Sequence, residues 1–314
     1  MAISLERVGE IYHQPLLSLV YAAQTVHRQH HAADQVQLCT LANIKSGRCP
    51  EDCRYCPQSA RYTTATETYP LLTVAAVQQQ AIAAKAAGAT RLCMGAAWRS
   101  APQGAEFERV LAMVRTVRDL GMEACATLGM LSAEQARQLA AAGLTAYNHN
   151  LDTSPEFYPE IISTRTYDDR LETLAHVAAA GIQVCCGGIV GLGETDADRI
   201  GLLHVLANLE APPTSVPINA LVPVAGTPLA DCPPVDPLVL VRTIATARLL
   251  LPTARVRLSA GRQTLSESDH CPVFLAGANS IFTGDKLLTT PNPGEAADAA
   301  LLARLGLQPA PLTQ

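Results

Sequence analysis

The segment CPEDCRYC places three cysteines, Cys49, Cys53 and Cys56, within eight residues. Thiolates are soft ligands that favour zinc, copper(I) or iron–sulfur clusters. A structural zinc site needs a fourth ligand, and the next cysteine along the chain is Cys93. Three cysteines on a cluster of four irons would leave one iron open to bind a substrate. The alternative is a zinc knuckle completed by Cys39 or by a histidine.

The elements that position this loop alternate between short β-type segments and Ala- and Leu-rich helical segments, which predicts an α/β fold. The strand candidates are QLCTLANI, TRLCMG, MEACATLG, TAYNHNL, IQVCCGGIV, SVPINALV, ARVRLSA and NSIFTG. Several helices end at glycines, a usual stop, namely Gly88, Gly143 and Gly181. Eight β-then-α units predict a TIM-type (β/α)8 barrel with its reactive loops at the carboxyl ends of the strands.

The first 31 residues have the spacing of an amphipathic helix. We therefore predict an N-terminal helical extension over residues 1–35 and one barrel domain over residues 36–314. Three histidines of the extension are expected on a solvated helix face: His27, His30 and His31.

Strand parity predicts what the barrel encloses, because alternate residues of a strand face opposite sides. A barrel filled only for stability would contain branched aliphatic side chains. The predicted inward set is instead polar or thiol-bearing: Arg91, Cys93, Glu123, Cys125, Thr127, Asn148, Asn150, Asp152, Cys185, Arg255, Arg257 and Ser259. Its three cysteines together with Arg257 predict a second metal site, with ordinary packing of buried cysteines as the alternative.

The remaining cysteines are expected to have no part in this site. Cys186 faces the helices by parity, although a register slipped by one residue would let it compete with Cys185. Cys39, Cys232 and Cys271 lack comparable partners, so we expect no catalytic role for them.

Charge and hydropathy restrict the class of partner. The 314 residues carry 23 Lys and Arg against 28 Asp and Glu, and no basic run argues for nucleic acid. No apolar segment is long enough to span a bilayer, and Glu6 and Glu10 stand where a secretory signal would be basic. Ten cysteines without such a signal are typical of a reducing compartment. We expect a cytoplasmic protein that acts on small molecules, without nucleic-acid or membrane partners.

The C-x3-C-x2-C spacing with Tyr55 before the last cysteine resembles the radical S-adenosylmethionine (SAM) superfamily. From about residue 36 onward, successive segments resemble the biotin synthase family: CPEDCRYCPQSARY, CMGAAW, YNHNLDTSPEFY, GGIVGLGE, VRLSAGR, AGANSIF and KLLTTPNPG. This resemblance implies radical insertion of sulfur into dethiobiotin, electrons from a flavodoxin or ferredoxin, and a homodimer.

The resemblance also implies two clusters. A [4Fe–4S] cluster would be held by Cys49, Cys53 and Cys56, and a [2Fe–2S] cluster, the sulfur source, by Cys93, Cys125, Cys185 and Arg257. Arginine is an unusual ligand because its guanidinium is always protonated in proteins. The residue type alone favours a cation beside an anionic cluster, whereas the family implies ligation.

Two further sets of residues follow from the resemblance. S-adenosylmethionine would contact Tyr55, Gly95, Ala96, Asn150, Asp152, Arg170 and Ile189. Dethiobiotin would contact Asn148, Asn219, Thr289 and Thr290. Without the resemblance, the Asn/Asp run could shape a turn and Arg170 could be an exposed arginine at a helix start. The competing functions are a barrel relative that has only the loop cluster, such as a hydrogenase-maturation or amino-acid mutase enzyme, and a non-catalytic metal sensor.

Overall fold

The computed structural model describes residues 2–312, so the outermost ends of the two predicted domains, Met1, Thr313 and Gln314, lie outside the described residues. The described strands are β1 (Gln35–Lys45), β2 (Arg91–Ala96), β3 (Glu123–Thr127), β4 (Ala146–Asn148), β5 (Gln183–Cys185), β6 (Gly188–Val190), β7 (Ser215–Ala220), β8 (Arg255–Leu258), β9 (Ser280–Thr283) and β10 (Gln308–Pro309). The helices are α1 (Leu5–Tyr12), α2 (Leu16–His30), α3 (Val74–Ala86), α4 (Ala105–Asp119), α5 (Ala133–Ala142), α6 (Tyr158–Ile161), α7 (Tyr167–Ala179), α8 (Asp196–Asn208), α9 (Pro237–Leu250), α10 (Glu267–Leu275) and α11 (Glu295–Leu305).

The strands form a closed parallel barrel. β5 and β6 share one barrel position, because β5 pairs with β4 and both segments pair with β7. The last barrel strand, β9, pairs with β8 and with β1, which closes a ring of eight positions. The predicted (β/α)8 fold and its eighth strand are therefore confirmed. β10 was not predicted, and it adds two residues to the start of β1 outside the ring.

The two faces of the barrel wall differ in chemistry as strand parity predicts. Leu92, Met94, Val256 and Leu258 pack outward into the core shared with the helices. Cys186 belongs to this outer core as well, which confirms the predicted parity. The inner face instead carries a separate cluster built around buried cysteines.

The N-terminal segment contains two helices rather than the single helix that the spacing predicts. Pro15 separates α1 from α2, because proline has no N–H to continue a helical ladder. α1 packs on α8 and α2 packs on α9. The prediction of a solvated histidine face was wrong for His27, which is 2% exposed and stacks on His31 with the ring centroids 5.3 Å apart.

The fifth barrel position is interrupted at Cys186 and Gly187. A Cβ atom on Gly187 would lie 1.9 Å from the carbonyl oxygen of Pro217, so only glycine fits here without moving the backbone of β7. The predicted glycine stops are also present, with φ of 86° at Gly88 and 92° at Gly143. No helix in residues 2–312 is both long and apolar enough to cross a membrane.

Candidate active site

The cysteine loop follows β1 and is held in place by its own backbone. The Cys49 N–H donates to the Gln58 carbonyl at 2.9 Å, and the Ala60 N–H donates to the Cys49 carbonyl at 2.7 Å. A turn inside the loop is closed by the Cys56 N–H, which donates to the Cys53 carbonyl at 2.9 Å. All three cysteines line one cavity at the carboxyl end of the barrel.

Acidic residues between these cysteines attach the loop to the segment that precedes α7. The Asp52 carboxylate accepts hydrogen bonds from the backbone N–H groups of Ser163 at 3.0 Å and Thr164 at 3.2 Å. Burial opposes ionisation, but these bonds dominate and lower the pKa of Asp52 to about 2. Glu51 accepts from Arg99 at 2.9 Å. These contacts attach the loop to neighbouring segments through side chains other than its cysteines.

The loop thiols are protonated in the metal-free protein. Burial raises the pKa of all three, to about 11 for Cys53 and about 12 for Cys56. Binding of a metal must displace these protons. The guanidinium of Arg165 lies beside them, with Nη2 3.8 Å from Cys53 Sγ. Its Nε makes no hydrogen bond in the described structure but lies 3.7 Å from Glu51 Oε2, so an anionic cluster would meet a cation that Glu51 partly balances. The residues fit a [4Fe–4S] cluster.

The second predicted set comes together deeper in the barrel. Cys93, Cys125 and Cys185 are 3%, 0% and 0% exposed, and their thiols interact in the order of their strands. Interaction with Cys125, opposed by burial and supported by Arg257, lowers the pKa of Cys185 to about 6. Arg257 Nη1 lies 3.9 Å from Cys185 Sγ. Cys93 and Arg257 also line the cavity that holds the loop cysteines.

Arg257 gives this interior site its electrostatic character. Its side chain is 1% exposed, and no carboxylate among residues 2–312 pairs with it. Its Nε donates to Ser280 Oγ at 3.0 Å, whereas its Nη2 is buried without a partner. A buried cation needs a counter-charge. Three thiols and an unpaired guanidinium nitrogen therefore fit an anionic [2Fe–2S] cluster.

The expectation that Cys39 has no comparable partners was wrong. Cys39 is fully buried on the inner face of β1, in the same cluster as Cys93 and Cys125. It belongs to a different cluster from Cys53 and Cys56, which does not favour the zinc knuckle considered as an alternative. No three His, Cys, Asp or Glu side chains in the described part of the chain converge on one metal ion. An iron–sulfur cluster spreads its thiolates over several irons, so its ligands are not expected to converge in that way.

An ion pair at the carboxyl end of β4 organises the predicted S-adenosylmethionine site. Asp152 Oδ2 accepts from Arg170 Nη2 at 2.6 Å and from the Tyr55 hydroxyl at 2.7 Å. Arg170 also donates to the Tyr158 hydroxyl at 2.8 Å and to the Asn150 carbonyl. The alternative of an exposed arginine was wrong, because Arg170 is 3% exposed.

The backbone at Asp152 is itself unusual. Its φ is +67°, a left-handed conformation that is uncommon for residues other than glycine, although aspartate adopts it more readily than most. Oδ1 of Asp152 makes no hydrogen bond to the described residues, so this oxygen is free to accept from a ligand hydroxyl in the cavity. Burial and the nearby Asp152 carboxylate both raise the pKa of Tyr55, which keeps its hydroxyl a donor.

The asparagines of the same segment connect this ion pair to the interior cysteines. Asn148 Nδ2 lies 3.3 Å from Cys185 Sγ and donates to Asn150 Oδ1 at 3.1 Å. Asn150 Oδ1 also accepts from the Gly187 N–H at 3.2 Å. The other predicted contacts line the same cavity: Gly95, Ala96, Ile189, Asn219, Thr289 and Thr290. The amide of Asn219 is occupied by the Gly188 carbonyl and the Ala260 N–H.

The structure therefore brings the three loop cysteines, Cys93 and Arg257 to one cavity of about 330 Å³, within the usual range for small-molecule sites. Cys125 and Cys185 are fully buried and are not among the residues that line it. Sequence reasoning missed Arg165 and His149, which also line it. His149 is 3% exposed, burial lowers its pKa well below the usual range, and its Nε2 lacks a partner in the described structure. Arg165 lies in an irregular segment without periodicity, but His149 could have been noticed within YNHNLD.

Comparison with known proteins defines the class. Residues 43–206 match the model of the Radical SAM superfamily, and residues 217–308 match that of the Biotin and Thiamin Synthesis associated domain. The chain is therefore an enzyme of the radical SAM superfamily.

Curated relatives narrow this further. The chain is 79% identical to the biotin synthase of Synechococcus sp. (strain JA-3-3Ab) over 98% of this chain and 100% of the relative. It is 58% identical to the biotin synthase of Gloeobacter violaceus over 98% of this chain and 97% of the relative. The chain belongs to the biotin synthase family, which sets aside the competing families considered from the sequence.

Solved structures agree on the fold. Methylornithine synthase superposes with a TM-score of 0.82 at 18% identity, covering 99% of this chain and 95% of that chain. A maturase of the [FeFe]-hydrogenase superposes with a TM-score of 0.84 at 17% identity, covering 100% of this chain and 73% of that chain. At such identities the likeness concerns the barrel alone.

Proposed function

We propose that this chain converts dethiobiotin to biotin by inserting one sulfur atom between two saturated carbons. The observation that carries the proposal is the single cavity, which reaches from the loop cysteines to Cys93 and Arg257 and is also lined by Asp152. A substrate in this cavity would lie between a site for radical generation and a site for a sulfur source. Family membership supports the same activity.

The cofactors supply the hard chemistry: S-adenosylmethionine on a [4Fe–4S] cluster provides the radical, and a [2Fe–2S] cluster provides the sulfur. We propose that Cys49, Cys53 and Cys56 hold the first cluster, with Arg165 compensating its negative charge. Cys93, Cys125 and Cys185 hold the second cluster, with Arg257 at its fourth side.

The chain's other residues bind and orient the organic partners. Asp152 accepts a ribose hydroxyl through Oδ1 while Arg170 and Tyr55 fix its other oxygen. Gly95, Ala96, Asn150 and Ile189 complete the S-adenosylmethionine site. Dethiobiotin contacts are proposed for Asn148, Asn219, Thr289 and Thr290.

The cavity also favours this chemistry through its walls. Leu41, Leu287, Leu288 and Phe282 line it together with the polar groups. Apolar walls limit the access of water to a reactive carbon centre, and they strengthen the electrostatic contacts made by Asp152.

We further propose a cytoplasmic homodimer that receives electrons from a flavodoxin or ferredoxin, with residues 1–35 as an extension of the barrel domain 36–314. Leu17 and Tyr21, one turn apart on α2, are 84% and 77% exposed. Paired exposed apolar side chains on one helix face support a protein contact there.

The test is an anaerobic assay of reconstituted protein with dethiobiotin, S-adenosylmethionine and a reduced flavodoxin, in which 5′-deoxyadenosine and biotin are measured separately. Wild type and Cys186→Ala should form both products, because Cys186 faces the outer core. Cys53→Ala should form neither product. Cys93→Ala should still cleave S-adenosylmethionine but form no biotin, and undiminished biotin from this variant would refute the proposal.

A further inference from the structure

A continuous series of side-chain hydrogen bonds crosses the interior of the barrel near the amino ends of several strands. Arg257 Nε donates to Ser280 Oγ at 3.0 Å, and the Ser280 hydroxyl donates to Gln37 Oε1 at 3.4 Å. Gln37 Nε2 in turn donates to Glu123 Oε2 at 3.0 Å. Every donor therefore points the same way, from a guanidinium to a carboxylate. We call these four residues the interior network.

Strand pairing places the members of the interior network side by side. Arg257 of β8 is the register partner of Ser280 of β9, and Ser280 is the register partner of Gln37 of β1. All three are buried, whereas the side chain of Glu123 at the start of β3 is 21% exposed. The network thus leads from the buried guanidinium to a partly exposed carboxylate, at the opposite end of the barrel from the loop cysteines.

Two residues of β9 hold the Arg257 side chain. Ser280 accepts from its Nε, and the Phe282 ring lies under its guanidinium, with Cζ 4.8 Å from the ring centroid. Ser280 and Phe282 are two residues apart, so they share one face of the strand. Nη1 lies 3.9 Å from Cys185 Sγ, and Nη2 has no partner in the described structure. These contacts leave the two Nη atoms as the nitrogens available to the interior site.

The Ser280 hydroxyl is oriented by Gln37. A hydroxyl has one proton, and Ser280 uses it on Gln37 Oε1, which leaves its lone pairs for the Arg257 Nε–H. A reversed Gln37 amide would turn its oxygen toward the Glu123 carboxylate, which is unfavourable. The other neighbour of Ser280 Oγ is Cys39 Sγ at 3.7 Å, and sulfur is a weak acceptor. Gln37 therefore keeps the Ser280 oxygen available to Arg257.

We propose, building on the proposed function, that Gln37 is a positioning residue for the [2Fe–2S] cluster. Gln37 is held by Glu123 and orients Ser280, which in turn holds Arg257 with its Nη atoms toward the cluster. Glu123 suits this role because Arg91 Nε fixes it independently at 2.7 Å. Hydrogen bonds that share one direction polarise one another, so the network also links the buried cation to a carboxylate that does not touch it.

The experiment uses full-length protein with both clusters reconstituted anaerobically. Three variants are compared with wild type: Gln37→Met, Ser280→Ala and the double variant. Methionine has nearly the shape of glutamine but forms neither amide hydrogen bond. Gln135→Met is the matched control, since Gln135 of α5 is also buried and donates to the Ala101 and Pro102 carbonyls outside the ring of strands. Decay of the [2Fe–2S] absorption is timed with an iron chelator present, and the midpoint reduction potential of this cluster is measured.

Gln37→Met should lose the [2Fe–2S] cluster about tenfold faster than Gln135→Met, as expected when a residue that orients a ligand is removed. The midpoint potential of this cluster should also fall, because its neighbouring cation is held less firmly. The double variant should lose the cluster no faster than Ser280→Ala, since Gln37 acts through Ser280. The loop cluster should stay intact in all variants, which reports that the barrel has folded.

A second measurement needs no cluster. In metal-free protein labelled with ¹⁵N-arginine, exchange of the Arg257 Nε–H with water is followed by nuclear magnetic resonance, with Arg257→Met identifying the signal. Exchange should be about tenfold faster in Ser280→Ala than in wild type, because the acceptor is lost. It should also be faster in Gln37→Met than in Gln135→Met.

Equal cluster decay or equal exchange in Gln37→Met and Gln135→Met would overturn the inference alone. Effects of the two substitutions that multiply in the double variant would do the same. Wild type without any [2Fe–2S] cluster would overturn the proposed function, and the inference with it.

Discussion

Replacing Arg170 by methionine should destabilise the protein far more than removing an ion pair from the surface. Arg170 and Asp152 form a 2.6 Å pair whose side chains are only 4% and 2% exposed. Removal of one partner from a buried pair typically costs 3–5 kcal/mol, because the other charge is left buried. Tyr55 still donates to Asp152 at 2.7 Å and offsets part of this cost. We therefore expect a loss of about 3 kcal/mol.

The assay is urea unfolding of metal-free protein, followed by circular dichroism. Arg304→Met is the matched control, since Arg304 pairs with Glu267 while both side chains are more than half exposed. That control should change stability by less than about 1 kcal/mol. Arg170→Met should cost about 2 kcal/mol less in an Asp152→Asn protein than in wild type, because residues that interact directly have non-additive effects on stability. Equal costs for Arg170→Met and Arg304→Met would refute the reasoning.

Two further predictions concern packing and pH. Gly187→Ala should cost about 1–3 kcal/mol in the same unfolding assay, since its Cβ would overlap the Pro217 carbonyl. Gly9→Ala in α1 is the control, because there is open space around Gly9, and it should stabilise the protein by about 0.5–1 kcal/mol. Burial, with Arg248, lowers the pKa of His27 to about 3, so the unfolded chain binds more protons and stability should fall as pH drops from 7 to 5. The measurement is the melting temperature between pH 7 and pH 5, which should fall less steeply in His27→Gln than in wild type. The same slope in both proteins would contradict the prediction.

The elements of the barrel could be predicted because the sequence shows clearly both the two-residue alternation of strands and the spacing of apolar residues that is typical of helices. The alternation in TRLCMG placed Cys93 inside and Met94 outside, and the structure has the same arrangement. The same alternation could have been applied to QLCTLANI, where Cys39 and Leu41 share one face. Cys39 was overlooked because its partners come from strands distant in sequence, so spacing alone does not show them.

Other parts of the site depend on tertiary contacts that no local pattern encodes. Arg165 approaches Cys53 from a segment more than a hundred residues away, and its position is set by contacts between the two loops. Arg170 occupies the first turns of a helix, where exposure is the usual expectation, and only its ion pair with Asp152 shows that it faces the cavity. His27 is buried for a similar reason, since α2 packs against α9.

The central claim is that one cavity serves two clusters of different type. The most direct measurement is Mössbauer spectroscopy, with iron and sulfide content, on anaerobically reconstituted wild type and on a triple variant with Cys93, Cys125 and Cys185 replaced by alanine. Wild type should show both [4Fe–4S] and [2Fe–2S] signals, and the triple variant should keep only the [4Fe–4S] signal. A wild-type protein with a single cluster type, or a triple variant that retains both signals, would contradict the account.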